Sequence, residues 1–516
     1  MWSRGLIHSL YSFSSSRVEV LQVDKNGVGN SIYDVTPSGH VDSPDVMWSV
    51  DNMYDDAVGS KSTIIVAVPT RSLSNIDDFT QCQVYYSVAG TTNQMTPISG
   101  LTCSGGIVCI PPYLVYYGSD GLVGWSDVNQ PQTLNSGDAG TARVTGAKVV
   151  KALPMRTSSG PGAILLSLDS VILMQYVGGS AIFRFTPISS QSSILSPNSA
   201  VEYDGKYYWV GVDRFLGCAG GVVGELPNSE NINWFFDNLN WSQSQKVWAM
   251  KVPRYGEIWW FYPRGDATEC THAIIYNVRE NTWYDCQLSR GSGYYSQVFR
   301  FPLMVGSTPR GNVIRAQITT SSGTFSAGDS IIGVTSGATY TILKVEANNY
   351  YQLSVLQVSI PSVIGEGVNN LSQSGTGTLI LTKDMYSAFS HEWGLDAVYQ
   401  DRTVAIPSFF ETSDFGYPTG STNVGQDRGV NRNTRIVRVE PDFIQSGKMS
   451  FTVRGRKYPV EDDSVSEDFE FYPTTLKVDL REQRRLIRLR FESNCLGGNF
   501  EMGRTILHLE PGDPAP

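Results

Sequence analysis

The sequence predicts an all-β protein: a β-propeller with an inserted small β domain and a C-terminal antiparallel β domain. Three observations lead there. Between Lys246 and Cys286 the chain reads KVWAMKVPRYGEIWWFYPRGDATECTHAIIYNVRENTWYDC, two runs of aromatic and β-branched residues joined by a polar, Gly-containing loop, which is the pattern of a long antiparallel hairpin. A similar unit, AVEYDGKYYWVGVDRFLGCAGGVVGEL, lies upstream from Ala200 to Leu226 and is broken at Asp204-Gly205 and Val212-Asp213. Small meanders repeating at roughly 40 to 50 residues cannot bury their apolar faces alone and must stack on one another. Composition agrees, since 50 Gly, 26 Tyr, 21 Phe and 11 Trp with 17% charged residues favour short strands and tight turns over amphipathic helices.

Taken in order, residues 1–310 keep one texture. Strands are expected at Ser62 to Pro69, Gln83 to Val88, Tyr113 to Tyr117, Ile164 to Leu168 and Ser170 to Tyr176, separated by Gly, Asn, Asp and Pro clusters. That span accommodates about six or seven four-stranded blades. From 311 to 383 charges become sparse and Ser, Thr and Gly frequent, with the compact stretch GTFSAGDSIIGVTSGATYTILKVE from Gly323 to Glu346. This is the expected insert, a small barrel or sandwich placed at a loop tip. Propeller-like texture returns over 384–415 and is expected to complete the propeller. A Gly/Asn-rich linker is expected at 416–433, followed by the C-terminal β domain at 434–516. There Arg435 to Val439, Met449 to Arg454, Thr475 to Leu480 and Arg485 to Phe491 alternate as strands do, with Ile487, Leu489 and Phe491 on one face and Leu486, Arg488 and Arg490 on the other.

The formal charge of -10 argues against sequence-reading of DNA and against binding to anionic membranes. The opening MWSRGLIHSLYSF carries one Arg and no long apolar run, and no stretch elsewhere approaches a membrane span, so a soluble, unsecreted protein is expected. Seven scattered cysteines do not suggest a disulfide framework, and reduced, buried thiols are expected.

Catalytic signatures are weak. No phosphate-binding loop and no nucleophile elbow occur. His391-Glu392 begins a zincin-like pattern but Leu395 stands where the second His belongs. Cys270, His272 and Cys286 could meet across a hairpin at a metal, yet Cys-x-His without paired spacing reads more simply as strand packing. Asp204, Asp213, Glu257, Asp266 and Glu269 fall in or beside turns, where carboxylates bond to local backbone more often than they hydrolyse sugars. The runs Tyr207-Tyr208-Trp209, Trp234-Phe235-Phe236 and Trp259-Trp260-Phe261-Tyr262 could stack on sugars, but the plainer expectation is blade-to-blade core or subunit contact. One basic cluster stands out: Arg481, Arg484, Arg485, Arg488 and Arg490. With Glu440, Glu461, Asp462, Asp463, Glu467, Asp468, Glu470 and Glu482 close by in sequence, it is a candidate subunit interface built from Arg–carboxylate pairs. No catalytic, cofactor or metal residue is assigned.

Four stretches carry a family resemblance: VEYDGKYYWVGVDRFL (Val201 to Leu216), NINWFFDNLN (Asn231 to Asn240), KVPRYGEIWWFYPRGDATECTHAIIYNVRENTWYD (Lys251 to Asp285), and LREQRRLIRLRFESN with GGNFEMGRTILHLEPGD (Leu480 to Asp513). They resemble the tail nozzle, or tail-tube-tip, proteins of short-tailed bacteriophages, relatives of the so-called DNA-stabilisation proteins, over about residues 110 to 310 and 385 to 513. The resemblance implies a structural virion protein of the tail, present in the host cytoplasm during assembly. It implies a homohexameric ring below the portal and adaptor, with tail adaptor and tail fibre or spike proteins as neighbours. Genomic DNA would pass through the ring without sequence-specific binding, and neither catalysis nor a cofactor is implied. The competing reading is a receptor-binding or glycan-degrading β-propeller at the tail tip.

Overall fold

The computed structural model describes residues 2–4, 7–23, 29–40, 43, 45–56, 61–71, 80–157, 160–227, 230–295, 301–309, 313–346, 349–357, 363–399, 402–417, 432–456, 458 and 461–514. The chain forms two compact units, Met1–His391 and Glu392–Pro516.

The first unit is a β-propeller of successive antiparallel meanders. Its sheets are Trp2–Arg4, Ile7–Phe13, Val18–Val23, Gly29–Asp34 (blade 1); Trp48–Asp55, Ser62–Pro69, Cys82–Val88, Thr96–Cys103 (blade 2); and Gly106–Ile110, Tyr113–Tyr117, Leu122–Trp125, Gly140–Arg143 (blade 3). Next come Val149–Thr157, Gly160–Ser167, Val171–Tyr176, Phe183–Ser189 (blade 4) and Val201–Tyr203, Lys206–Val210, Phe215–Ala219, Val222–Glu225 (blade 5). Blade 6 is Trp248–Val252, Glu257–Tyr262, His272–Asn277, Thr282–Gln287, and blade 7 is Arg290–Tyr294, Leu303–Gly306, Ala388–Ser390.

Strand alternation explains why the blades stack. In blade 4, Leu165, Ile172 and Met174 point into a core shared with Val108, Val115 and Trp125 of blade 3. Their neighbours Ile164, Leu166 and Val171 point the other way, into a core shared with Tyr207, Trp209 and Leu216 of blade 5. Blade 6 repeats the arrangement: Ile258, Trp260 and Tyr262 meet Tyr208, Val210 and Phe215 of blade 5, while Phe261, Ala273 and Ile275 share a core with Met304 of blade 7. Both faces of a sheet are thus covered, which is why its strands read as nearly continuous apolar runs instead of clean alternation. First strands of consecutive blades run beside one another, as in Trp48–Asp55 with Gly106–Ile110 and Gly106–Ile110 with Val149–Thr157. At one such approach only glycine fits, because a Cβ on Gly105 would lie 2.4 Å from the Val149 carbonyl oxygen.

Among the described residues one α-helix interrupts the β texture. Helix α1, Glu230–Asn238, sits between blades 5 and 6 and buries Ile232, Phe235 and the following Leu239 in their shared core. Phe235 packs edge-on against Phe215 and Tyr262, with ring centroids 5.1 and 4.7 Å apart.

Between the second and third strands of blade 7 lies a closed six-stranded barrel: Val313–Ser322, Ser330–Gly333, Thr339–Val345, Tyr350–Gln357, Gly367–Asn370 and Thr376–Asp384. Ala316, Ile318, Phe325, Tyr340, Ile342 and Tyr351 fill it. It is seated on blade 1 by charge. Arg315 pairs with Glu19 and, at 2.6 Å, with Glu346, while the guanidinium of Arg17 lies 4.9 Å from the Tyr350 ring.

The expected completion of the propeller by 384–415 needs correction. Ala388–Ser390 pairs with Leu303–Gly306 in blade 7, but Ser408–Glu411 pairs with Leu486–Ser493, and the Asp396 carboxylate accepts from Gly497 N at 2.9 Å. Residues 392–415 belong to the second unit because strand pairing, not texture, decides where an exposed apolar run goes. Most of the expected linker, 418–431, lies outside the described residues.

In the second unit a sheet of Ser408–Glu411, Leu486–Ser493, Met449–Arg456, Ser464–Val465 and Phe469–Phe471 and a sheet of Val478–Arg484, Arg432–Glu440 and Ile506–Pro514 share one core. Ile487, Leu489 and Phe491 are buried there, and the residues between them are only half-buried.

Candidate functional site

The arginine cluster that stands out in the sequence lies on and between two strands, Val478–Arg484 and Leu486–Ser493. Leu486–Ser493 alternates, so Arg488 and Arg490 stand on the face away from the core. Arg488 lies directly opposite Arg454 on the neighbouring strand. Two like charges in that position repel unless a carboxylate separates them. Glu411 does so, lying 3.2 Å from Arg488, 3.5 Å from Arg490 and 3.7 Å from Arg454. Arg488 also pairs with Asp463 and, at 2.8 Å, with Asp414, which holds Arg456 at 2.7 Å. Burial works to lower Arg488, but Asp463, Asp414 and Glu411 outweigh it and hold the guanidinium above its ordinary value. Arg490 pairs with Glu492 and lies 3.7 Å over the Phe409 ring. Arg484 pairs with Glu482 at 2.8 Å, Arg485 is half-buried and engaged, and Arg481 is exposed. Arg484, Arg488 and Arg490 are therefore held by carboxylates of their own unit. Glu411 and Asp414, which sequence reasoning did not connect to them, arrive from a strand some 75 residues upstream.

A second set of contacts ties the first strands of neighbouring blades together. Ser49 Oγ donates to the Ile107 carbonyl at 3.2 Å, and the Asp51 carboxylate accepts from Cys109 N at 2.8 Å, tying blade 2 to blade 3. Further round, Ala249 N donates to the Asn198 carbonyl at 2.8 Å and Lys251 Nζ pairs with Glu202 at 2.8 Å. Ser49, Gly105, Tyr117, Lys151, Pro197 and Asn198 line a recess that four blades share. It holds about one water molecule. Burial lowers Lys151 and raises Asp51, each offset in part by the other's charge.

The remaining candidates are occupied locally. Asp213 pairs with Arg214 at 2.6 Å, whose hydrogen bond is the largest influence holding it below the usual carboxylate range, and Glu269 pairs with Lys246 at 2.6 Å. Glu257 is buried and accepts from Trp259 Nε1 at 2.9 Å and from the Tyr284 hydroxyl. Asp204 sits at a positive φ of 52° in the turn between two blade 5 strands, and Asp266 is exposed in a turn. Cys270 gives its Sγ–H to the Lys246 carbonyl at 3.3 Å, burial pushes Cys286 up to about 12, and the His272 ring meets Arg264 at 3.2 Å. A ring turned to a guanidinium is a poor metal ligand. Among the described residues no group of three or more His, Cys, Asp or Glu could hold a metal ion. His391 accepts from Arg290 Nε at 2.8 Å, and burial, then the Arg290 charge, pulls it down to about 4.

The aromatic runs divide. Trp209 and Trp260 are fully buried, and their indole N–H groups donate to the carbonyls of Ser193 and Ser199 at 3.0 and 2.9 Å. Trp125 and Trp248 likewise donate to backbone carbonyls. Trp234 is exposed.

Fold and site together define an all-β, propeller-containing protein in which Arg484, Arg488 and Arg490 are paired with carboxylates of their own unit. No family model matches the chain, and no curated protein matches it. Among solved structures it is similar to BamB from Moraxella catarrhalis, at 9% identity and TM-score 0.28 over 68% of this chain and 96% of that one. It is also similar to an exo-β-1,3-galactanase from Phanerochaete chrysosporium solved with galactose, at 10% identity and TM-score 0.26 over 97% and 100%. An ancestral GH74 enzyme matches at 9% identity and TM-score 0.28 over 73% and 64%. Likeness of this degree transfers neither activity nor partner. Among the described residues no helix is long and apolar enough to cross a membrane.

Proposed function

We propose that this chain is a structural subunit of a short phage tail, a nozzle-like component that assembles as a ring and extends the channel through which the genome leaves. One observation supports the reading above the others: large aromatic side chains fill the spaces between blades, while apolar side chains of the second unit stand in solvent. Trp393, Ile444 and Leu476 are 71%, 75% and 85% exposed, and Val398, Phe409 and Leu496 more than half. On this reading these side chains are contacts with other chains, the use that contiguous exposed apolar surface commonly has. A closed ring uses two different patches on each subunit. Arg481, with the outer rim of the arginine network, is the charged part of the proposed interface and these side chains the apolar part. The net charge of -10 suits a conduit, because fewer protein cations on DNA phosphates mean less drag on a passing duplex.

The test is assembly. Replacing Ile444 and Leu476 together by Ser is expected to leave the chain folded but to abolish rings seen by negative-stain imaging. Rings formed equally well by the double variant would remove the apolar half of the proposal.

A further inference from the structure

We propose that the inserted barrel is a clasp: it ties blade 1 to blade 7 and so keeps the propeller closed, and blade 1 is the part that opens when the clasp is released. Buried cores join the blades in sequence. Blades 1 and 2 share Val18, Val20 and Ala67, blades 2 and 3 share Val66, Ile107 and Leu114, and the later pairs follow in the same way as far as blades 6 and 7. Among the described residues no such core is shared by blades 7 and 1.

Strand alternation shows what stands at that seam instead. In Val18–Val23, Val18 and Val20 turn towards blade 2, so Glu19 and Leu21 turn away from it. Leu21 is paired across the sheet with Leu10 and Ile32, and all three are only half-buried. On blade 7, Met304 is buried against blade 6, while Leu303 and Val305, on the opposite face, are half-buried. Both faces keep part of their apolar surface in water, so burial contributes less to closure here than between the other blades.

Charge supplies the hold. The barrel leaves blade 7 after Gly306 and returns at Ser387, whose carbonyl accepts from Gly306 N at 2.9 Å, so it is anchored on blade 7. From its first strand Arg315 reaches Glu19, 296 positions earlier in the chain. Glu19 also pairs with Arg17 at 3.1 Å, Arg17 donates to the Tyr350 hydroxyl at 3.1 Å, and the Arg315 guanidinium lies 4.5 Å from the Tyr350 ring centroid. With Glu346 on Arg315, two cations face two carboxylates, and the four side chains are between 9% and 25% exposed. Removing one charge from so enclosed a cluster leaves its partner unpaired and poorly hydrated, so the contact is held or lost as a whole. Without it blade 1 keeps a core on one face only, and regions with fewer buried apolar contacts open before the rest of a molecule does. The clasp uses none of the residues assigned to assembly.

The experiment is amide hydrogen exchange of the full chain, read blade by blade by mass spectrometry, in Glu19→Gln, Arg315→Gln and the double variant, with Tyr350→Phe as the mildest change. Each Gln variant is expected to speed exchange in Ile7–Phe13 and Val18–Val23 by roughly tenfold and to leave Tyr113–Tyr117 and Gly160–Ser167 at the parent's rate. The double variant is expected to exchange no faster than either single one, because one clasp can be released only once. Tyr350→Phe, which removes only the hydroxyl that accepts from Arg17, is expected to speed exchange in the same two strands by roughly threefold. Unchanged exchange in blade 1, or equal acceleration in every blade, overturns the inference. So does a double variant in which the two effects add, which would make Glu19 and Arg315 separate supports. Should either Gln variant fail to fold, the same comparison of blade 1 with blades 3 and 4 is decided on Tyr350→Phe.

Discussion

Two tryptophans 26 positions apart show how differently one residue type is used. Trp260 is fully buried between blades 5 and 6, stacks on Trp283 with centroids 6.0 Å apart, and gives its N–H to Ser199. Its replacement by Ala removes a large apolar volume and leaves a carbonyl unpaired, so a loss of about 3–5 kcal/mol in urea-induced unfolding is expected. Trp234→Ala is expected to change stability by less than about 0.5 kcal/mol in the same assay. The aromatic runs were legible in the sequence, but their division between core and surface was not. That division depends on α1, whose Ile232, Phe235 and Phe236, with Leu239 just after it, recur at helical spacing inside a stretch dominated by β-forming residues. At the same scale, His391 gives a pH prediction. Its pKa in the folded protein, about 4, lies below the ordinary 6.5, so the unfolded state binds more protons between those values and stability falls as pH drops from 6.5 towards 4. Thermal melts of His391→Asn are expected to show a shallower decline over that window than the parent, and identical slopes would remove His391 as the cause.

Among the elements, the sheet that carries the arginines is the most instructive. Its alternation was readable, because Ile487, Leu489 and Phe491 are apolar at period two and are buried. Its partners were not, because Glu411 and Asp414 reach it through the long-range pairing of Ser408–Glu411 with Leu486–Ser493. The same pairing draws residues 392–415 into the second unit. Glu411→Gln would leave Arg454 facing Arg488 with its bridging charge gone. For groups that are about one-fifth exposed, a cost of about 1–3 kcal/mol lies between that of surface and fully buried pairs and can be read from denaturant midpoints. Blade packing has its own test in Gly105→Ala. The added methyl would press on the backbone oxygens of Val149 and Tyr117, and destabilisation of about 1–3 kcal/mol is expected from the same measurement.

For the whole molecule, the repeat of aromatic hairpins foretold the propeller because each blade needs neighbours on both faces, and strand sequences record that need as apolar runs. The inserted barrel was visible as a fall in charge and a rise in Ser, Thr and Gly. Its seat on blade 1 through Arg17, Glu19, Arg315 and Glu346 was not, since no local pattern links residues so far apart in the chain. Function is written at this scale too. Residues of four blades line a water-sized recess, the turn carboxylates Asp213 and Glu269 are paired with neighbouring cations, and apolar side chains stand in solvent on both units, the most exposed of them, Leu476, on the second. On the proposed reading such a molecule is joined to copies of itself. Sedimentation of the full chain over a wide concentration range tests this most directly. The account predicts a species of six times the chain's mass that negative-stain images show as a ring, and a monomer at every concentration would contradict it.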